Sequence, residues 1–168
     1  FDGAGLGLFD AFIQFEPRFI QDYENDANRS AMKKRIKTAL LKLGLTGLVG
    51  RVEKKLGAKA VGTATAQLTI REYDRDWDAI LRYPVTDKRM IAGAFVDWDN
   101  TPRNKHGVMV SGFSVEKFAE YMKILVQRAR KEEKPVIFIN AWNEWGEGNY
   151  MEPDLTFGKG YINALHEA

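Results

Sequence analysis

Three apolar runs in this sequence each end in carboxylates, and that pattern limits the folds open to the chain more than any other feature. Asp10 to Phe15 (DAFIQF) ends at Glu16-Pro17, Met90 to Trp98 (MIAGAFVDW) ends in Asp97-Trp98-Asp99-Asn100, and Val136 to Trp142 leads to Glu144 and Glu147. Proline biases the residue before it toward an extended conformation, which suits Glu16 as a strand end. Near-continuous apolar strands alternating with helical segments predict a parallel sheet covered by helices. Such α/β architectures carry their chemistry on loops at the carboxyl ends of the strands. One acid at a strand end is an ordinary turn or cap residue; three ends converging on acid predict a site.

The helical segments follow from spacing. Tyr73 to Arg82 (YDRDWDAILR) reads as a short helix halted before Pro84. Ser114 is a good N-cap for a helix whose stripe is Val115, Phe118, Met122, Leu125 and Ala129, closing in a basic turn before Pro135. A last helix is expected from about Gly158. Gly3, Gly5 and Gly7 resemble a dinucleotide fingerprint only briefly, because position 8 is Leu and a strand follows; they read as a loop.

Residues 29–59 differ in character, with ten Lys or Arg against the single acid Glu53. Met32, Ile36, Leu40 and Leu43 recur at helical spacing, as do Leu48, Val52 and Leu56, while Gly44, Gly47 and Gly50 divide the stretch into at least two pieces. The ordinary reading is a surface helix packed by its apolar stripe, with solvated lysines. A basic amphipathic helix can also lie on an anionic membrane surface, so weak peripheral membrane contact through 29–59 is the alternative. One domain over residues 1–168, with a basic helical insert at about 25–62, is the expected organisation. The chain opens on Phe1 rather than Met and stops at Ala168 inside a helical pattern, so it reads as a piece of something longer.

Composition removes several classes of function. A net charge of +2 gives no global reason to bind nucleic acid. No segment approaches the roughly 18 to 20 apolar residues of a membrane span. The absence of cysteine excludes disulfides and thiolate metal sites and fits a reducing compartment, so a cytoplasmic location is expected, peripheral to the inner membrane if the basic segment binds it. His106 and His166 are the only imidazoles, which makes zinc improbable, and Asp97 to Pro102 lacks the glycine and spacing of a calcium loop. Neither metal nor cofactor is expected.

The chemistry concentrates in Trp142 to Asp154 (WNEWGEGNYMEPD). Extended backbone would send Glu144 and Glu147 to opposite faces, but a tight turn through Gly146 and Gly148 would bring them together. Two carboxylates at about 5 Å repel by about 3 kcal/mol at an effective dielectric near 20. One of them then tends to keep its proton, which is the working state of an acid/base pair. Carboxylate pairs around a scissile bond are how most glycosidases work. Trp142 and Trp145 supply apolar faces for a sugar ring, and Asn140 and Asn143 supply donors and acceptors for hydroxyls. Core packing is the competing reading for Trp142.

The stretch FINAWNEWGEGNYMEPD (138–154) closely resembles the signature of the WbsX-type proteins, glycosyltransferases of bacterial surface-polysaccharide biosynthesis related to the endo-acting mannosidases of glycoside hydrolase family 99. The resemblance extends to DAFIQFEP (10–17), VDWDNTPR (96–103), the Ser114-capped helix and LTFGKGYINAL (155–165), leaving out the basic insert. It implies a (β/α)₈ barrel of which this chain supplies the later strands, since a complete barrel needs about 250 residues. Family 99 enzymes carry histidine where this chain has Gly146. By that likeness Glu144 would be the base assisting through the sugar 2-hydroxyl, and Glu147 the general acid/base at the leaving oxygen. The likeness also makes Glu152 and Asp154 substrate-orienting residues and brings Glu16, Asp97, Trp98, Asp99 and Asn100 to the same cleft. The implied partner is a carbohydrate, and a lipid-linked one would give the basic segment a purpose. Glycosyl transfer, retaining endo-hydrolysis and non-catalytic carbohydrate binding are the three readings carried forward.

Overall fold

In the computed structural model, residues 8–45, 48 and 68–168 are described. The chain divides into two compact units, one comprising Phe1–Ile20 with Ala66–Ala168, the other Gln21–Thr65. Parallel strand pairs and helices make the first unit a mixed α/β structure.

Its elements are β1 (Phe12–Ile13), β2 (Thr69–Glu72), α2 (Tyr73–Arg82), β3 (Met90–Ile91), β4 (Gly93–Phe95), β5 (Val108–Ser111), α3 (Val115–Lys131), β6 (Phe138–Asn140), β7 (Asn143–Glu144), β8 (Asn149–Tyr150) and α4 (Gly160–His166). β1 pairs with β3, β4 with β6 and β2 with β5, all parallel, whereas β7 and β8 are antiparallel. The Ile91 carbonyl accepts from the Gln14 N–H, and the Ala92 carbonyl accepts from the Phe138 N–H. Successive carbonyls of an extended chain point to opposite sides, so residues 90–95 run between β1 and β6. Gly93 allows this closeness: a Cβ there would lie 1.8 Å from the Gln14 carbonyl oxygen. The three apolar runs are thus neighbours, with parallel carboxyl ends at Glu16, Asp97 and Glu144. Six described strands form the three parallel ladders, and the described residues do not close a barrel.

The β2–β5 pair was not foreseen. Thr69–Glu72 (TIRE) is largely exposed; Thr69 and Ile70 are β-branched, but two such residues before a charged pair are too short a run to predict a strand. The expected strand 90–98 ends its parallel pairing at Phe95. Beyond it, Trp98 and Asp99 turn to pair antiparallel with 109 and 110, the Val110 N–H donating to the Trp98 carbonyl at 2.7 Å.

Helix α3 starts where Ser114 Oγ accepts the Lys117 N–H at 3.2 Å, and it buries Phe118, Met122, Leu125 and Ala129. These meet an aromatic cluster: Trp77 stacks on Phe95 and on Tyr121, and Tyr161 from α4 lies edge-on to Phe118. Burying such rings on one side of the parallel ladders is the main source of this unit's cohesion. Arg128 of α3 donates to the carbonyls of Ile80, Leu81 and Tyr83, satisfying the orphan acceptors at the end of α2. In contrast, Ile13, Phe15, Val136 and Phe138 stay at 44–57% exposure, so these strands are not buried on both faces by the described residues.

Helix α1 runs unbroken from Arg18 to Lys42. The sequence predicts a basic helical insert at about 25–62, whereas the helix already starts at Arg18. Gly44 ends it at φ 71°, with the Leu45 N–H bonded to the Leu40 carbonyl and the Gly44 N–H to the Leu41 carbonyl, a Schellman closure. Met32 and Leu43 of the stripe are exposed. Of the second expected piece, only Leu48 falls within the described residues; Val52 and Leu56 lie outside them.

Candidate active site

After β6 the chain enters a short hairpin. β7 carries Asn143 and Glu144, a 3-10 turn spans Trp145–Glu147, and Gly148 at φ 63° turns the chain into β8. That turn does what the spacing required. Arg103 Nη2 donates to Glu144 Oε1 at 3.0 Å, and Arg103 Nη1 lies 3.9 Å from Glu147 Oε1. One guanidinium spans both acids, so their carboxylates share one side of the loop. Arg103 is 58% exposed, Glu144 41% and Glu147 22%, so the trio is open to solvent.

The hairpin is tied to the end of β4. Asn149 is fully buried, and its Oδ1 accepts the N–H groups of Val96 and Asp97 at 3.2 and 3.4 Å. The Asp99 N–H donates to the Glu147 carbonyl at 2.7 Å. Glu147 is therefore held through its own backbone to the strand end bearing Asp97 and Asp99. Asp97 Oδ1 accepts the Trp98 N–H at 2.6 Å. Burial, reinforced by the charge of Asp99 and opposed by that N–H, pushes the Asp97 carboxyl up to about 7. Glu16 lies at the end of β1 and is almost wholly buried, with Oε2 accepting the Ile20 N–H at 3.0 Å. Burial raises it to about 8, against that hydrogen bond and with a smaller push from Asp76. Asn140 Nδ2 donates to the Glu16 carbonyl at 2.8 Å, joining the ends of β6 and β1.

Beyond the acids, Trp145 stacks on Tyr150 with centroids 3.7 Å apart, and its indole N–H donates to Glu152 Oε2 at 2.6 Å. The Tyr150 hydroxyl donates to Asp154 Oδ2 at 2.8 Å. Hydrogen bonds from the Phe157 and Thr156 N–H groups and the Tyr150 hydroxyl hold the Asp154 carboxyl below its usual range, the Phe157 bond contributing most. Trp142 is half exposed, and its carbonyl accepts from Met151 and Glu152.

The sequence-predicted residues therefore separate by placement. Glu144, Glu147, Trp145 and Glu152 lie on the hairpin, with Asp97 and Asp99 against its turn. Asn143 is exposed and pairs across to Tyr150. Trp98 is only 7% exposed and packs in the core, so its ring presents no sugar platform. Asn100 accepts the Val108 N–H with Oδ1, and Asp154 organises its own turn. Glu16 is enclosed rather than open. Three contributors were not singled out beforehand: Arg103, Tyr150 and Asn149. Nothing local marks Arg103, which reaches the acids across 41 positions. Among the described residues no group of three or more His, Cys, Asp or Glu is arranged to hold a metal ion, and no helix is long and apolar enough to cross a membrane.

The described strands and helices form a mixed α/β unit with parallel strand pairs, a class of protein whose ligand sites lie outside the carboxyl ends of such strands. The particular family is shown by comparison: residues 5–165 match the model of the family described as glycosyltransferase WbsX, and the chain belongs to it. It is also 33% identical over 103 residues to the uncharacterized protein WxcX of Xanthomonas campestris pv. campestris, both in strain B100 and in strain ATCC 33913. That alignment covers 58% of this chain but only 14% of the relative's length. No solved structure matches.

Proposed function

We propose that this chain carries the acid/base loop of a carbohydrate-active enzyme that transfers glycosyl units in the synthesis of bacterial cell-surface polysaccharide. The observation that supports it is the grouping of Glu144 and Glu147 about one exposed guanidinium, beside a half-exposed tryptophan, at the carboxyl ends of parallel strands. Family membership points the same way. In this reading Glu144 takes the proton of the sugar 2-hydroxyl as that oxygen closes on C1 while Glu147 protonates the departing glycosidic oxygen. The acceptor hydroxyl then attacks C1 and gives its proton to Glu147, the C1–O2 bond opens, and Glu144 returns its proton to O2. Trp145 and Trp142 offer rings to the sugar's apolar face. The strands belong, on this proposal, to a (β/α)₈ barrel completed by chain outside this sequence. The acceptor decides between transfer and hydrolysis, since water in its place gives a retaining endo-hydrolase.

The test uses the full-length protein with defined mannosides and lipid-linked glycans, analysed for transferred and hydrolysed products. Glu147→Gln and Glu144→Gln should each reduce turnover by about 10²-fold or more. If binding persists while neither substitution lowers product formation, the hairpin is a binding element and the catalytic reading fails. Lysines 33, 34, 37 and 42 and Arg35 on the described part of α1 support a lipid-linked substrate or a membrane surface as partner; loss of flotation with anionic liposomes on reversing their charge would be the corresponding result.

A further inference from the structure

We propose that Arg103 is the positioning residue of the glutamate pair, that residue 146 is glycine because Arg103 fills the space a side chain there would need, and that the trio accepts an uncharged glycosyl residue rather than a phosphate or uronate. This rests on the reading of Glu144 and Glu147 as the reacting pair.

The steric relation is direct. A Cβ on Gly146 would stand 1.9 Å from Arg103 Nη2, 2.6 Å from Cζ and 2.9 Å from Nε. Those atoms are the far end of a flexible side chain, so a larger residue at 146 displaces the guanidinium rather than the loop. Gly146 is not among the residues with positive φ, so its backbone does not itself require glycine. The glycine is there for Arg103.

The hydrogen-bonding pattern shows what the guanidinium can do. It makes one hydrogen bond, to Glu144 at 3.0 Å, and approaches Glu147 only to 3.9 Å. A guanidinium has five N–H donors in a rigid fork. Several therefore remain to meet the hydroxyls of a ligand lying between the acids, at a side chain 58% exposed. Arg103 both fixes the direction of Glu144 and presents donors beside it.

Charge decides the ligand class. With Glu147 carrying the proton it donates, the charge of Arg103 is balanced by Glu144 alone, and a Cβ on Gly148 would lie 3.7 Å from Asp97 Oδ2 and 3.8 Å from Asp99 Cβ, so further carboxyl groups border the turn. An arriving phosphate or uronate would have to take Arg103 from Glu144 and leave that carboxylate uncompensated beside the new charge. A neutral sugar needs neither change.

The experiment is a double-mutant cycle in the full-length protein, read as kcat, KM and melting temperature on a neutral glycan, with the two Gln variants in parallel. Arg103→Ala should lower kcat by about 10²-fold with a smaller effect on KM, as for misplaced catalytic groups. Arg103→Lys should recover only part of this, because an ammonium cannot span both acids. Gly146→Ala should mimic Arg103→Ala, yet change kcat and melting temperature little once Arg103 is already Ala. Additive effects in the cycle would overturn the steric coupling. Loss of kcat in the Gln variants without loss in Arg103→Ala would overturn the positioning role while sparing the acid/base reading. If the Gln variants keep full turnover, the acid/base reading fails and the positioning role with it, leaving the melting cycle to judge the contact alone. A glycan with a uronate in place of the neutral residue should fall at least tenfold in kcat/KM; equal or better turnover would overturn the ligand class.

Discussion

Asn149 Oδ1 lies 3.2 Å from the Val96 nitrogen, a buried side chain accepting a backbone N–H from the end of β4. Asn149 is two residues beyond Glu147, so this bond fixes the hairpin to the sheet across 53 positions of sequence. Replacing Asn149 by Leu should leave the Asp97 N–H without this acceptor and the Val96 N–H with the Asn140 carbonyl alone, costing about 1–3 kcal/mol. Urea unfolding of the chain checks it. An unchanged midpoint would show that water takes over the amide's role.

The Trp145–Tyr150 stack yields a spectroscopic prediction. One face of the indole is covered by Tyr150, and the residue is 50% exposed. A glycan resting on the free face should shift tryptophan emission to the blue in wild type and in Trp142→Phe, but not in Trp145→Phe. A shift that survives in Trp145→Phe and vanishes in Trp142→Phe would place the sugar on the other ring.

Glu16 gives a pH prediction with a definite sign. Its folded value of about 8 stands above its ordinary value of 4.5, so the native state holds a proton that the unfolded chain has released between those limits. Its contribution to stability therefore falls as pH rises from about 4.5 to about 8 and is constant outside that window. Glu16→Gln should stabilise the chain relative to wild type at pH 9 and lose that advantage below pH 4.5. Asp97, raised to about 7 from 3.8, behaves alike over its own lower window. Melting temperatures of wild type, Glu16→Gln and Asp97→Asn across pH 4 to 9 measure both; a Gln variant that gains nothing on going to alkaline pH would contradict the first.

Arg71 and Asp76 form the main buried ion pair described, with Arg71 Nε 2.8 Å from Asp76 Oδ1 and the Asp76 side chain fully enclosed. Arg71→Ala removes the guanidinium from a fully enclosed carboxylate and should cost about 3–5 kcal/mol, whereas replacing both partners by apolar residues should recover much of that loss. Denaturant midpoints of the two variants decide it: equal losses would mean that the pair is not the source of the cost.

The local elements were legible because local physics sets them. Ser114 caps α3 and its 3.6-residue stripe is the buried one, and Tyr73–Arg82 is the helix its pattern predicts. The turn that brings Glu144 and Glu147 to one side uses Gly148 at φ 63°, one of the two glycines the sequence offers for it, whereas Gly146 has no positive φ. Family membership, too, was readable from the motif between Phe138 and Asp154, and residues 5–165 match that family.

Tertiary structure alone decided the partners. Thr69–Glu72 becomes a strand because Val108–Ser111 lies beside it, since two β-branched residues alone are too short a run to specify one. Trp98 turns into the core because the chain after Phe95 leaves the parallel ladder for Met109 and Val110, which sends the indole inward rather than to the cleft. Arg103 comes to two acids 41 and 44 residues away only through the folding of β4, β5 and β6 around it. Periodicity, caps and turns depend on neighbours a few residues apart, so a single sequence carries them. Which distant side chain meets which depends on chain closure and packing, whose energies are spread over many residues, and no short stretch encodes them.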